Sequence, residues 1–113
     1  MFHLNGMRLP AGVDAQAQGL WGSIGWATPA ALGVAMAKTA GRTWLVTGDG
    51  SHQLTLNELA VMGRYGVTPR IFVLNNGLYG VEDIISERGH AYDDLAPVKY
   101  HLLPEAFGCT DWL

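Results

Sequence analysis

An open parallel α/β sheet is the fold class this sequence predicts. Two short apolar runs, Thr43–Thr47 and Ile71–Leu74, each end in a small polar turn: Gly48-Asp49-Gly50-Ser51 after the first, Asn75-Asn76-Gly77 after the second. Between them runs a helical pattern that opens near Thr55 and stops at Gly66. Strand, helix, strand in this order is the mark of parallel pairing through a crossover helix. It brings both turns to one edge of the sheet, where open α/β sheets bind ligands.

Each element has a local reason. Residues 1–20 read as irregular, punctuated by Gly6, Pro10 and Gly12. Leu20 to Trp26 is glycine-spaced and aromatic, which predicts a packed loop. A first helix is expected from Thr28, as cap, and Pro29, at the first helical position, through Lys38, with Gly41 ending it. Its small residues (Ala30, Ala31, Gly33, Ala35, Ala37) favour close approach to a neighbouring backbone. Thr43–Thr47 is apolar and partly β-branched, as a strand buried on both faces would be. Thr55-Leu56-Asn57-Glu58 matches a capping box. It puts Leu56, Leu59, Ala60 and Gly63 on one face, with Met62 at its edge. Ile71–Leu74 is the second strand, Val81 to Ser86 starts another helix, and Leu102 to Phe107 forms a short one near Pro104.

Composition narrows the function. The chain has 113 residues, room for one small domain, with 49% hydrophobic and 15% charged residues, as in a globular protein. A net charge of −3 argues against a nucleic-acid partner held through its phosphates. No apolar run is long enough to span a membrane, and the start lacks a secretory pattern. The single cysteine, Cys109, forms no internal disulfide, which points to a reducing, cytoplasmic setting. It reads as a small buried hydrophobe. Fifteen glycines and four tryptophans are many for this length and suggest a piece of something larger.

The chemistry concentrates at the two turns. Asp49 and Asn76 offer a carboxylate and an amide oxygen, the hard ligands that magnesium prefers alongside phosphate and water. Gly48, Gly50 and Ser51 offer backbone amides and a hydroxyl for phosphate oxygens. The free amides at the helix near Val81 make a second place for an anion. Either turn alone is common in loops of every kind; the pair in a strand-helix-strand context is what carries the signal.

Those residues resemble a known family. Gly48-Asp49-Gly50-Ser51 followed by Asn75-Asn76 resembles the cofactor motif of thiamine diphosphate-dependent enzymes. Leu20-Trp21-Gly22-Ser23-Ile24-Gly25, Gln53-Leu54-Thr55, Asn57-Glu58-Leu59 and Phe72-Val73-Leu74-Asn75-Asn76 are similar to the pyruvate, indolepyruvate and phenylpyruvate decarboxylase branch. The likeness extends over roughly residues 6–108. It implies a magnesium ion held by Asp49, the side chain of Asn76 and the carbonyl of Leu78. The diphosphate would be held by Ser51 and the amides of Gly50 and Val81. Ile24 would force the cofactor into its bent form, and the carbonyl of Gly22 would accept from its amino group. Glu82 would assist carbon dioxide loss from a 2-oxo acid and the protonation that follows. The thiazolium ring would be the electron sink for that reaction.

Departures from the family pattern stand at three places. Gly80 replaces a common threonine at the diphosphate. Ser86-Glu87-Arg88 replaces His-Gly-Pro. His52 replaces an apolar residue beside the phosphate turn and is expected in packing or at the surface; His3, His90 and His101 are isolated. The resemblance further implies a cofactor seated between two domains, the second being a pyrimidine-binding domain of the same or another subunit in a homo-oligomer. No activating glutamate of that second domain is expected in this chain. Residues 1–19 read as a lead-in and 20–113 as a partial cofactor-binding domain, its first strand expected before Met1 and its last after Leu113. Such a fragment would be inactive alone. Two other readings stay open: another branch, such as a carboligase or benzoylformate-type decarboxylase, and a non-catalytic truncated paralogue acting as an interaction module.

Overall fold

Two parallel strands, β1 (Trp44–Gly48) and β2 (Arg70–Leu74), form the sheet around which the chain is arranged. The computed structural model describes residues 6–37, 41–87 and 89–109; expectations placed on 1–5, Lys38, Arg88 and 110–113 lie outside them. Helix α1 (Ala27–Ala37) precedes β1. Helices α2 (Asp49–Gln53) and α3 (Glu58–Tyr65) form the crossover, and α4 (Gly80–Ile85) follows β2. A 3₁₀ turn at Tyr100–Leu102 leads into α5 (Leu103–Ala106). The register pairs Trp44 with Arg70 and ends with Gly48 against Leu74, so both strands finish at the same edge. This is the parallel α/β class that the sequence predicts.

The core forms where the crossover meets the first helix. Leu32 of α1 packs with Leu59 and Met62 of α3, flanked by Val61, Val67, Ile71, Leu103 and Phe107. Met62 is fully buried and central, not at the edge of its face, whereas Ala60 is exposed. Glycine at position 63 lets Cys109 approach, and the buried Cys109 thiol donates to the Leu59 carbonyl at 3.3 Å. Burial pushes that thiol up from its ordinary range, against a smaller opposite pull from the Gly63 backbone, so it packs as an unreactive group. Helix α3 closes at Gly66, whose amide bonds back to the Gly63 and Met62 carbonyls.

Four local expectations are corrected. Helix α1 starts at Ala27, and Thr28 does not cap it: the Thr28 hydroxyl is buried against His52 Nδ1 at 2.9 Å. Pro29 still falls in the first turn, where a missing N–H costs no intrahelical bond. The capping box at Thr55 does not form either. Helix α2 runs through a turn into α3, and the Glu58 amide already bonds to the Thr55 carbonyl at 3.1 Å. With no free helix start to satisfy, the Thr55 hydroxyl turns elsewhere. Strand β1 is buried on one face only. Leu45 and Thr47 point inward, while Trp44 and Val46 join Phe72 and Leu74 on an exposed face, with Trp44 and Phe72 ring centroids 5.4 Å apart. No element among the described residues covers that side. Finally, the loop at Leu20–Trp26 is not packed: Leu20 is 94% and Trp21 86% exposed. Polar bonds hold it instead, with Gln18 and Ser23 bonded in both directions, at 3.1 and 2.9 Å.

Candidate cofactor site

Where β1 ends, Gly48 is still extended and Asp49 already starts α2. Asp49 is therefore held between a strand end and a helix start, only 2% exposed. Its Oδ1 accepts from the Gly50 amide at 3.0 Å and its Oδ2 from the Gly77 amide at 2.6 Å. The second bond ties the turn after β1 to the turn after β2. A carboxylate buried without such donors would be costly; two backbone N–H groups satisfy it.

Asn76 and Leu78 complete the corner. The Asn76 amide can present either end to the corner, and only the nitrogen-inward orientation is satisfied by the protein alone. With Oδ1 inward, that atom stands 3.0 Å from the Leu78 carbonyl oxygen and 3.1 Å from Asp49 Oδ1; with Nδ2 inward, the amide donates to both. Three converging oxygens repel one another unless a cation lies among them. With magnesium–oxygen distances of about 2.0–2.1 Å, adjacent ligands of an octahedron stand about 3.0 Å apart. The oxygen-inward spacings match that edge. The donor set of one carboxylate, one amide and one carbonyl therefore fits a hard cation. The Leu78 carbonyl also accepts from the Gly80 amide at 2.9 Å, which leaves it a second lone pair.

The remaining candidates fall around this corner to different degrees. Ser51, in the first turn of α2, accepts from the Gly25 amide at 2.9 Å. Val81 and Glu82 lie in the first turn of α4, both exposed, at the end of the segment that starts with Asn76. Asp83, beside them, accepts from the Gly89 amide at 3.2 Å. Gly22 and Ile24 lie on the loop tied to Ser51 through Gly25; Ile24 is 41% exposed, an apolar side chain left partly open. No group of three or more His, Cys, Asp or Glu suited to a metal occurs among the described residues; the oxygen corner, with its single carboxylate, is a candidate through its donor set alone.

Two residues here escaped sequence reasoning, and the sequence pattern marks a third only as a helix cap. Tyr79 fills the space beside Gly50: a Cβ on Gly50 would clash with the Cε1–Cδ1 edge of its ring, with Cδ1 at 2.8 Å and Leu95 Cδ1 at 3.0 Å. Glycine is thus required at position 50 by packing as well as by any ligand. The Tyr79 amide bonds to the Asp93 carbonyl at 2.9 Å, and the Leu95 amide to the Gly77 carbonyl at 2.9 Å, so residues 93–95 brace the second turn. Asp93 is 1% exposed, and its Oδ2 has no donor among the described residues. Thr55 is the third, described below. Nothing in a single sequence marks such braces, because each depends on a contact across the fold. His52 proves to be a buried packing residue, as one expectation had it. Burial lowers its pKa, its ring is bonded to Thr28, and the Tyr100 ring centroid lies 6.0 Å away.

Comparison with known proteins gives a consistent result. The family described as thiamine pyrophosphate enzyme, C-terminal TPP binding domain, matches residues 3–112. The alpha-keto-acid decarboxylase of Mycobacterium avium (strain 104) is 46% identical over 106 residues, covering 94% of this chain and 19% of that protein. That of Mycobacterium tuberculosis (strain ATCC 25618 / H37Rv) is 45% identical over the same length and shares. Among solved structures, the thiamine diphosphate-dependent 4-hydroxybenzoylformate decarboxylase of Rhodococcus jostii RHA1 superposes with a TM-score of 0.67. It is 27% identical, and the match covers 75% of this chain and 17% of that one. The chain thus spans about a fifth of the length of the curated relatives it matches. No helix among the described residues is long and apolar enough to cross a membrane.

Proposed function

Since the chain belongs to the thiamine pyrophosphate enzyme family, through its C-terminal TPP binding domain, we propose that it supplies the diphosphate- and magnesium-binding half of a 2-oxo acid decarboxylase site. The observation that carries this reading is the oxygen corner. With its oxygen turned inward, Asn76 would stand at octahedral-edge spacing from both the Leu78 carbonyl and Asp49 Oδ1. These three would hold magnesium, and magnesium would hold the diphosphate. Ser51 and the amides of Gly50 and Val81 would take the remaining phosphate oxygens, with Gly48 keeping the strand end clear. When bound, the cofactor supplies the electron sink that decarboxylation of a 2-oxo acid needs.

The rest is work for side chains of this chain and of its partner. Ile24 would support the cofactor from the apolar side and orient it, and the Gly22 carbonyl would accept a hydrogen bond from its amino group. Glu82 would hold the proton delivered after carbon dioxide leaves; its place on α4, near Val81, puts it on the segment that follows the metal corner. Residues 20–113 carry the site, with 1–19 as lead-in. A pyrimidine-binding domain, from the same or a second subunit of a homo-oligomer, would close the other half. The proposed substrate class is pyruvate or an arylpyruvate; Glu82 and the Trp21-Gly22-Ser23-Ile24-Gly25 run favour it over the benzoylformate type.

Nuclear magnetic resonance tests the half-site directly in a protein of 12.2 kDa. Thiamine diphosphate with magnesium should move the amide signals of Gly50, Ser51, Gly77 and Val81 and the side-chain NH2 of Asn76. Thiamine diphosphate without metal should move them far less. Absence of any shift at millimolar ligand, or shifts confined to other regions, would overturn the reading. The isolated chain should form no aldehyde from pyruvate or phenylpyruvate; turnover would refute the half-site assignment.

A further inference from the structure

The Gly25 peptide is gripped at both ends by side chains of the crossover. Its amide donates to Ser51 Oγ at 2.9 Å, and its carbonyl accepts from Thr55 Oγ1 at 3.0 Å. Ser51 and Thr55 are four positions apart, so they rise one above the other on the same face of a helical run. The fit is close. Gly25 is buried, its φ is +93°, and a Cβ there would stand 3.1 Å from Leu54 Cβ and 3.4 Å from Thr55 Cγ2. Only glycine takes both that backbone conformation and that contact without strain. The loop it anchors is otherwise held by the reciprocal Gln18–Ser23 bonds and displays Leu20 and Trp21 to solvent. Burial of side chains does not fix this loop; polar bonds do, and the two hydroxyls are the ones that join it to the crossover.

We propose that Thr55 is a positioning residue which, with Ser51, latches the loop carrying Gly22 and Ile24 to the diphosphate turn. The chemistry of Ser51 makes the latch responsive. A hydroxyl has one proton and two lone pairs. One lone pair takes the Gly25 N–H, and the proton has no acceptor among the described residues. A phosphate oxygen on Ser51 would take that proton and polarise the bond to Gly25. The diphosphate end of a ligand then firms the loop that meets its other end. This inference rests on the cofactor reading above, and extends it to a residue with no assigned part in it.

The test uses Thr55→Val, which keeps the shape and removes the hydroxyl, and Thr55→Ser, which restores it. Amide hydrogen exchange on the free chain comes first. In Thr55→Val, protection of the Gly25 amide should fall about tenfold, while that of Met62 in the core stays unchanged. Thr55→Ser should recover most of it. A uniform loss at all amides, or no loss at Gly25, would overturn the latch. Binding comes second, with inorganic pyrophosphate plus magnesium against thiamine diphosphate plus magnesium. Thr55→Val should keep its pyrophosphate affinity within about twofold and lose at least fivefold for thiamine diphosphate. Equal effects on both ligands would overturn the coupling. A wild-type chain that binds neither ligand would sink the cofactor reading instead, and the exchange experiment would still decide the latch.

Discussion

Replacing Asp49 by alanine should weaken the fold before any ligand is added, because this carboxylate joins the two strand ends. It accepts from Gly50 at 3.0 Å and from Gly77 at 2.6 Å and is 2% exposed. A hydrogen bond to a charged acceptor contributes about 1.5–3 kcal/mol. The Gly50 bond joins adjacent residues and ties no distant parts of the chain together, so it counts for less. The Gly77 bond spans the fold and dominates. The expected loss is about 2–4 kcal/mol, a large part of the roughly 5–15 kcal/mol that stabilises a domain. Urea denaturation followed by tryptophan fluorescence reads it as a lower midpoint by about 1–4 M, for a slope near 1–2 kcal/mol/M. The same titration with thiamine diphosphate and magnesium separates the two roles. Wild type should gain stability with ligand, about 2.7 kcal/mol at a hundredfold excess over Kd, and Asp49→Ala should gain none. A ligand-free variant as stable as wild type would refute the clasp. A variant that still gains stability from magnesium and thiamine diphosphate would refute the metal role.

Two further outcomes follow from burial. His52 has a pKa below its ordinary value of 6.5 because it is buried, so the unfolded chain binds more protons than the folded one at mildly acid pH. The stability that depends on neutral His52 is therefore complete above pH 6.5 and is lost as pH falls from there toward the lowered folded value. Denaturation midpoints between pH 5 and 8 should show this slope, His52→Gln should flatten it, and an unchanged slope would contradict the role. Gly50→Ala should cost about 1–3 kcal/mol through overpacking, since the new methyl meets the Tyr79 ring and Leu95. The double variant Gly50→Ala, Tyr79→Ala should show coupling in a double-mutant cycle, and strict additivity of the two would mean that the ring is not the obstacle.

What could be read from the sequence is what local patterns encode. The two apolar runs with their polar turns give the parallel strands and the shared edge, because register follows from strand length and crossover. Asp49 and Asn76 meet for that reason alone. Local signals misled where a distant residue competes for the same atom. Thr28 and Thr55 are good helix caps in isolation, yet each hydroxyl serves a partner more than twenty residues away, His52 and Gly25 respectively. A single sequence does not say which option wins, since the alternative exists only once the fold has formed. The same applies to Tyr79, whose ring explains a glycine that the motif alone assigns to ligand contact. The Leu20–Trp26 run predicts a packed loop, yet Leu20 and Trp21 stand in solvent, because hydroxyl and amide bonds, not apolar contacts, fix the loop.

The proposed metal corner would need little change when a ligand arrives. Each carboxylate oxygen has more than one lone pair. Asp49 Oδ1 accepts from Gly50 and still faces Asn76 Oδ1 at 3.1 Å, while Oδ2 is kept in place by Gly77. A cation can join Oδ1 without breaking either hydrogen bond. The one internal adjustment is the Asn76 amide, which turns between nitrogen-inward and oxygen-inward states about a single terminal torsion. Without a cation, nitrogen-inward is favoured by two hydrogen bonds; with one, oxygen-inward replaces them by coordination. Such a corner is nearly preformed, so binding energy is not consumed in ordering backbone. The loop at Gly22 and Ile24 is the opposite case, tied at one glycine and otherwise displayed to solvent. On the proposed reading, ligand selectivity in this half-site would rest on the latch, and affinity on the corner.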